Sequence, residues 1–410
     1  MTRARSEDRV HVLILVQNLP VPFDRRVWQE AMALTSAGYA VHVACPATSE
    51  YPRRRETING IRIYRYAPGP EARRFGAYVV EYTIAIIAQL RIALSIRRRH
   101  PVRIVHICNP PDLLFLVALP LLALGSRLIY DHHDACPELM MAKGLRPQSW
   151  PVRLVRAFER LTYRLCTVSI ETNESYRRIA LGRGKKSPED VFVVRSAPES
   201  TRFINARPDE KWRFGRKHLV GYVGVMGLQD GLDYLIDAAR LIISEWRRED
   251  IQFVLVGSGP EYPRLRQRVQ ELGLSDQVLL TGRLSDDDLG AVLATADVCV
   301  NPDEANLMND ISTMNKVMEY MALAKPMVQF DLHEGRFSAG DSSLYARRND
   351  AASLARCITR LVDDRVACER MGLLGRERLT STLSWEAQIP ELLAAYQRAS
   401  GKRGGWRSAG

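Results

Sequence analysis

A chain of 410 residues is too long for one ordinary hydrophobic core and divides into two domains of roughly 150 to 200 residues each. Its 46% hydrophobic and 26% charged residues exclude general disorder. The net charge of +11 calls for an anionic partner, and seven scattered cysteines with no CxxC pair exclude a disulfide frame or a zinc ribbon.

The charged start "MTRARSEDRV" leads straight into a strand, which predicts no signal peptide and a cytoplasmic protein. Strands are predicted at 11–16, 40–45, 61–66, 102–107, 127–132, 167–172 and from 191, each a short apolar or β-branched run. Among them, Tyr78 to His100 joins an apolar helical pattern to a basic end, as interfacial helices do, and predicts peripheral membrane contact. The run Leu113–Gly125 is 13 residues with a proline; since a bilayer span needs about 20, it reads as a helix buried against a sheet. The basic runs at 53–55, 72–74, 97–100 and the tail read either as solvated faces or as contacts to an anionic surface. No aromatic-basic platform or recognition helix accompanies them, so nucleic acid is not expected.

After residue 194 the polar stretch "RSAPESTRFINARPDEKW" reads as a linker. The pattern then restarts with strands at 219–224, 252–257, 277–282, 297–301 and 327–331, separated by helical stretches. Such alternation predicts an α/β protein of two doubly wound, Rossmann-like domains with a ligand cleft between them.

Three second-half strands end in glycine, at "GYVGVMG" (Gly224), "LVGSGPE" (Gly257) and "LTGRL" (before Arg283). Either the backbone there approaches a phosphate or the turns are simply tight. In "NDISTMNKVMEYM", Ser312 and Thr313 are placed as a helix N-cap, with Asn315, Lys316 and Glu319 on the following turns. Lys316 and Glu319 then share one helix face, as a binding pair or as a plain ion pair. "HEGRFSAGD" adds Glu334 and Arg336. In "YDHHDACPE" all of Asp131, His132, His133 and Asp134 are metal-ligand types, but neighbours on a strand face opposite ways and cannot close on one ion, so no metal is expected. The loop "NLPVPFDRRV" offers Asn18, Asp24, Arg25 and Arg26, either to an anionic acceptor or to one another.

Together with "NPPD" at 109–112 and "VLLTGRLSDDDLGAVLATADVCVNP", these segments in this order resemble the GT-B glycosyltransferases of the retaining family 4 type over nearly the whole chain. The resemblance implies an acceptor-binding domain over 1–198, a nucleotide-sugar-binding domain over 199–384, a helix over 385–400 packing back on the first domain, and a tail over 401–410. It implies that His133 and Asp134 are catalytic. On the donor side it implies Glu319 on the ribose hydroxyls, with Ser312, Thr313, Asn315, Lys316, Gly224, Gly257, Arg283 and Glu334 around it. Asn18, Asp24, Arg25, Arg26 and Asn109 would meet the acceptor.

Two departures accompany it. The first glutamate of the family's E-x7-E motif is replaced by Ile311, beside Asp310, and the basic phosphate clamp is replaced by Val225, Met226 and Asp230. Lys316, then Arg283, are the expected substitutes. The implied activity is retaining sugar transfer from a nucleoside diphosphate sugar, UDP-sugar first, to an acceptor hydroxyl, with no cofactor beyond that co-substrate. A nucleotide-sugar-binding protein without transfer, and a GT-B type epimerase, are the alternatives.

Overall fold

The computed structural model describes residues 9–69, 75–198, 203 and 205–401. The basic run at 72–74 and the tail from 402 lie outside the described residues. The chain forms two compact units, Met1–Arg195 with Gln388–Gly410, and Ser196–Ala387.

The first unit contains β1 (His11–Leu15), α1 (Arg25–Ser36), β2 (Ala40–Pro46), β3 (Arg55–Ile58), β4 (Ile61–Tyr66), α2 (Phe75–Arg99), β5 (Val102–Cys108) and α3 (Phe115–Ala123). It continues with β6 (Arg127–His132), α4 (Cys136–Ala142), α5 (Trp150–Leu165), β7 (Val168–Glu171), α6 (Glu174–Gly182) and β8 (Val191–Val193). The sheet order is β3-β4-β2-β1-β5-β6-β7-β8, and only β3 runs antiparallel. Strand order reverses between β1 and β5, and in such sheets ligands bind at the carboxyl ends beside that switch point. The loops after β1, β5 and β6 all emerge there.

The second unit holds β9 (His218–Val223), α7 (Leu232–Arg240), β10 (Ile251–Val256), α8 (Tyr262–Glu271), β11 (Val278–Gly282), α9 (Asp286–Thr295), β12 (Val298–Asn301) and α10 (Leu307–Ile311). It ends with α11 (Asn315–Ala322), β13 (Met327–Phe330), α12 (His333–Ala339), β14 (Ser343–Ala346), α13 (Ala351–Val362) and α14 (Arg365–Arg378). Its order, β11-β10-β9-β12-β13-β14, is all parallel, with the switch point between β9 and β12. Alternate residues feed opposite faces. Val220, Tyr222, Phe253 and Leu255 pack in one core cluster, and Leu219, Val254 and Val256 in the other.

The last helix, α15 (Trp385–Ala399), joins the first unit from Gln388 on. Gln388 Oε1 accepts from Arg195 N at 3.2 Å, and Arg398 Nε donates to Asp190 Oδ1 at 2.8 Å.

Two strands were not foreseen. β3 and β4 form a hairpin closed by Asn59 and Gly60, both at positive φ (50° and 83°), the turn that an Asn-Gly pair favours. The charged sequence "RRRETI" hid the edge strand, and β14 is only four residues long.

α3 buries Phe115, Val117, Ala118 and Leu121 but leaves Leu116 and Leu119 exposed, so the helix expected to be buried is covered on one face only. α2 turns Ala85, Gln89, Ala93 and Ile96 inward, while Val79, Val80, Ile84 and Ile87 stay exposed. Over Val79–Arg99 (21 residues, with an 18-residue stretch of mean hydropathy 1.6) α2 is also long and apolar enough to cross a membrane. An unbroken-run criterion missed this because Glu81 and Arg91 interrupt the apolar sequence.

Candidate functional site

In the first unit, β5 and β6 pair in register with Cys108 opposite Asp131. Asp24 caps α1 by accepting from Val27 N at 3.2 Å, which brings Arg26 in the first turn over the sheet. Arg26 is buried and donates to both Asp131 oxygens, from Nη2 at 2.8 Å and Nε at 3.2 Å, and to Val194 O at 2.8 Å. Glu30, one turn on, lies 3.3 Å from Arg26. His133 Nε2 meets Asp131 Oδ2 at 2.5 Å.

Burial alone would raise the Asp131 carboxyl, but Arg26 and then His133 outweigh it and hold it well below the usual carboxylate range. Burial, then Asp131, pushes Glu30 well above its ordinary value, whereas, against burial, Asp131 holds the Arg26 guanidinium above its own. The potential ligand atoms of His106, Cys108 and Asp131 lie within 4.8 Å of one another. Arg26 already engages both Asp131 oxygens, so the trio reads as part of an ion network rather than a metal site.

His132 points the other way. Its Nδ1 lies 2.9 Å from Glu171 Oε2 and 2.9 Å from the Tyr163 hydroxyl, and its Nε2 lies 3.8 Å from Glu159 Oε1. Burial would lower this imidazole, but Glu171 outweighs it and pushes it up to about 9. Its ring is fully enclosed, whereas the His133 side chain keeps 17% of its surface open.

Three of the expected acceptor contacts are corrected. Arg26 is consumed by Asp131 and Val194, and Asp24 serves as the α1 cap. Asn109 is a strut: its Oδ1 accepts from His133 N (2.7 Å) and Asp134 N (3.2 Å), and its Nδ2 donates to Asp112 Oδ1 (2.8 Å) and Asp134 O (2.7 Å). With every lone pair and proton taken, it fixes the loop that presents His133. Asn18 and Arg25 remain exposed in and after the loop following β1. Asp134 is half-buried, and burial pushes its carboxyl up.

In the second unit the glycines have packing reasons. A Cβ at Gly257 would lie 1.8 Å from Gly224 O, and one at Gly231 2.0 Å from Pro302 O. Gly224 N donates to Val256 O at 3.1 Å and Gly257 N to Gly282 O at 3.0 Å, so these amides are committed to the protein and not to a phosphate. Lys316 is buried on α11, with Nζ 2.6 Å from Asp303 Oδ1 and 3.5 Å from Asp230 Oδ1. Burial would lower it, but Asp303, then Tyr222 and Asp230, hold it protonated well above its usual range. As a phosphate clamp it is already compensated, and its partner is Asp303 rather than Glu319.

The predicted cap at Ser312 and Thr313 is also corrected. Ser312 closes α10, with Oγ donating to Met308 O at 2.7 Å, and α11 starts at Asn315 after Met314. Glu319 lies half-buried one turn beyond Asn315, Arg283 is exposed after β11, and Glu334 is buried in the first turn of α12. Asp310, beside the missing glutamate, accepts from His333 N (3.0 Å) and Arg348 Nη2 (2.8 Å) and so braces α12.

Two family models match, the glycosyl transferase 4-like domain over residues 24–196 and glycosyl transferases group 1 over 217–364. The chain is a glycosyltransferase of GT-B type. Among its relatives, the 2-deoxystreptamine glucosyltransferase of Streptomyces kanamyceticus is 25% identical over 92% of this chain and 99% of its own. The fold is similar to sucrose-phosphate synthase of Thermosynechococcus elongatus (TM-score 0.76, 18% identity, 96% of this glycosyltransferase and 100% of that chain). It is also similar to Anabaena HepE in complex with UDP-glucose (TM-score 0.71, 14% identity, 95% and 100%).

Sequence reasoning passed over His106, Tyr396 and Asp303. The available signal was a polar residue inside an apolar strand, as in "VRIVHIC", since a buried polar group needs a partner.

Proposed function

We propose that this glycosyltransferase moves a hexosyl group, with retention of configuration and without a metal, from a nucleoside diphosphate sugar to an acceptor hydroxyl. The observation that carries this reading is the placement of His133. Its ring is partly open at the carboxyl end of β6, while Asp131 holds the ring and Asn109 holds its backbone. A polar group fixed in advance stabilises developing charge without reorganising. Catalysis then rests on stabilising the leaving diphosphate and orienting the acceptor hydroxyl, not on an enzyme nucleophile.

Glu319 takes the ribose diol, and the amino end of α11 faces the diphosphate, where orphan N–H groups and the helix dipole favour anions. Arg283 supplies the cation. UDP-sugar is the first choice of donor, supported by the UDP-glucose bound to HepE. The named acceptor of the S. kanamyceticus relative supports a small polyol or aminocyclitol among the natural-product, glycolipid and polysaccharide acceptors.

We further infer a cytoplasmic enzyme attached peripherally to anionic membrane through α2. One face of α2 packs on its own domain, the other exposes Val80, Ile84 and Ile87, and the last turn carries Arg97, Arg98 and Arg99. Flotation with anionic but not neutral vesicles at low salt is expected; equal recovery with both would remove this part.

Thermal shift against UDP, GDP and ADP is the test of the donor site, because a ligand of the folded state raises its stability. Glu319→Ala should weaken the nucleotide that binds best by about 2 kcal/mol, the loss of charged hydrogen bonds. Unchanged affinity for all three would show the ribose assignment to be wrong.

A further inference from the structure

We propose that Tyr396, on the C-terminal helix α15, is a positioning residue for His133, acting through His106 and Asp131. The proposal rests on the reading of His133 as catalytic. The Tyr396 hydroxyl lies 2.6 Å from His106 Nδ1, across a sequence separation of 290 residues. On the far side of the ring, His106 Nε2 lies 3.3 Å from Asp131 Oδ2 and 3.7 Å from Glu30 Oε2, with a formed hydrogen bond to neither. Asp131 Oδ2 is also the atom that meets His133 Nε2.

A neutral imidazole carries its proton on one nitrogen only. Were it on Nδ1, the Nε2 lone pair would face the Asp131 carboxylate and the buried Tyr396 hydroxyl would lose its acceptor. By donating to Nδ1, Tyr396 fixes the tautomer that turns Nε2–H toward Asp131. Burial, then Glu30, keeps the Tyr396 hydroxyl well above its ordinary value, so it remains a donor. The carboxylate holding His133 is thereby balanced by Arg26 of α1, His106 of β5 and, at one remove, α15. The other charged or titratable groups near this point are Glu30 and Asp24 from the α1 side, Cys108 of β5, and Asp134 and Asp112 from the adjoining loops. The Tyr396 ring packs edge-on to Tyr39 at 5.6 Å, so Tyr396→Phe removes the hydroxyl and keeps the packing.

The test compares full-length wild type, Tyr396→Phe, His106→Gln and the double variant, each labelled with 15N-histidine and followed by NMR against pH. In Tyr396→Phe the His106 nitrogens should change tautomer and the His133 ring nitrogen signals should move with them, with the melting temperature nearly unchanged. A glutamine at 106 donates to Asp131 with no tautomer to set, so adding Tyr396→Phe should change nothing further. Unmoved His133 signals in Tyr396→Phe, or additive effects in the double variant, would overturn the proposal.

Turnover of UDP-glucose, GDP-mannose and ADP-glucose gives the second arm. Tyr396→Phe should lower kcat roughly tenfold, the effect of one lost hydrogen bond, and leave the donor KM alone. Undiminished turnover in His133→Ala would sink the catalytic reading while leaving the NMR result standing. A silent Tyr396→Phe beside a damaged His133→Ala would sink the positioning role.

Discussion

His132 and His133 are neighbours in sequence and opposites in surroundings. His132 lies on the closed side of β6, gripped by Glu171, Tyr163 and Glu159, with no surface open to solvent. His133 lies past the strand end with part of its ring open, and its partner Asp131 is itself held from behind by Arg26. Both sit against carboxylates, so proximity to charge does not separate structure from function here. What separates them is enclosure: the His132 side chain is wholly covered, whereas the His133 side chain keeps 17% of its surface open. An enclosed ion network stabilises, whereas one left open on a single side can act on a ligand.

The largest expected effect is the loss of the shared anchor. Asp131→Asn leaves the Arg26 guanidinium buried without its anion, and should destabilise the first unit by about 3–5 kcal/mol. Urea unfolding monitored by circular dichroism measures it. A cost below about 1 kcal/mol would mean that Val194 O and Glu30 suffice for Arg26 and that Asp131 serves His133 alone.

Next comes the direct contrast. His133→Ala should cut turnover roughly 100-fold, the scale of a polar contact made in the transition state, with nucleotide affinity nearly intact. His132→Ala should instead strip a buried cation from Glu171 and cost about 3 kcal/mol of stability, with a smaller loss of rate per folded molecule. Melting curves beside kcat for both variants decide it. The reverse pattern would mean that the enclosed histidine is the functional one.

How much of this was legible in the sequence follows from which interactions are local. Periodicity and β-branched runs located twelve of the strands to within a residue or so, because burial on a sheet face imposes a repeat that the sequence carries. The hairpin strand β3 escaped because its charges masked the alternation, although Asn59-Gly60 announced the turn. On the site side, the strand end carrying His133 was readable as a place for chemistry. Arg26, Asn109 and Lys316 read as ligand contacts in the sequence because their partners in the fold, Asp131, Asp134 and Asp303, are distant in sequence or carry no pattern that names them. The Tyr396–His106 contact belongs to the same class, since no local rule links a C-terminal helix to β5.

The smallest effect sharpens the comparison through pH, using His132 against His42 at the amino end of the same sheet. The folded value of His132 is raised to about 9, against an ordinary 6.5, because Glu171 outweighs burial. Its contribution is therefore complete below pH about 6.5 and disappears as pH rises through about 9. His42 is the opposite case: burial, then Arg62, pushes it down to about 3. It stays neutral in the fold while the unfolded chain takes up a proton, so its contribution is complete above pH about 6.5 and is lost as pH falls toward 3. Each slope is limited to about 1.4 kcal/mol per pH unit for one proton. The stability difference between wild type and His132→Gln should accordingly narrow from pH 6.5 to 9, and that between wild type and His42→Gln should narrow from pH 7 to 5. Two differences that narrowed in the same direction would show that one of these histidines carries the other charge state, and that enclosure by carboxylates is not what distinguishes the closed side of β6.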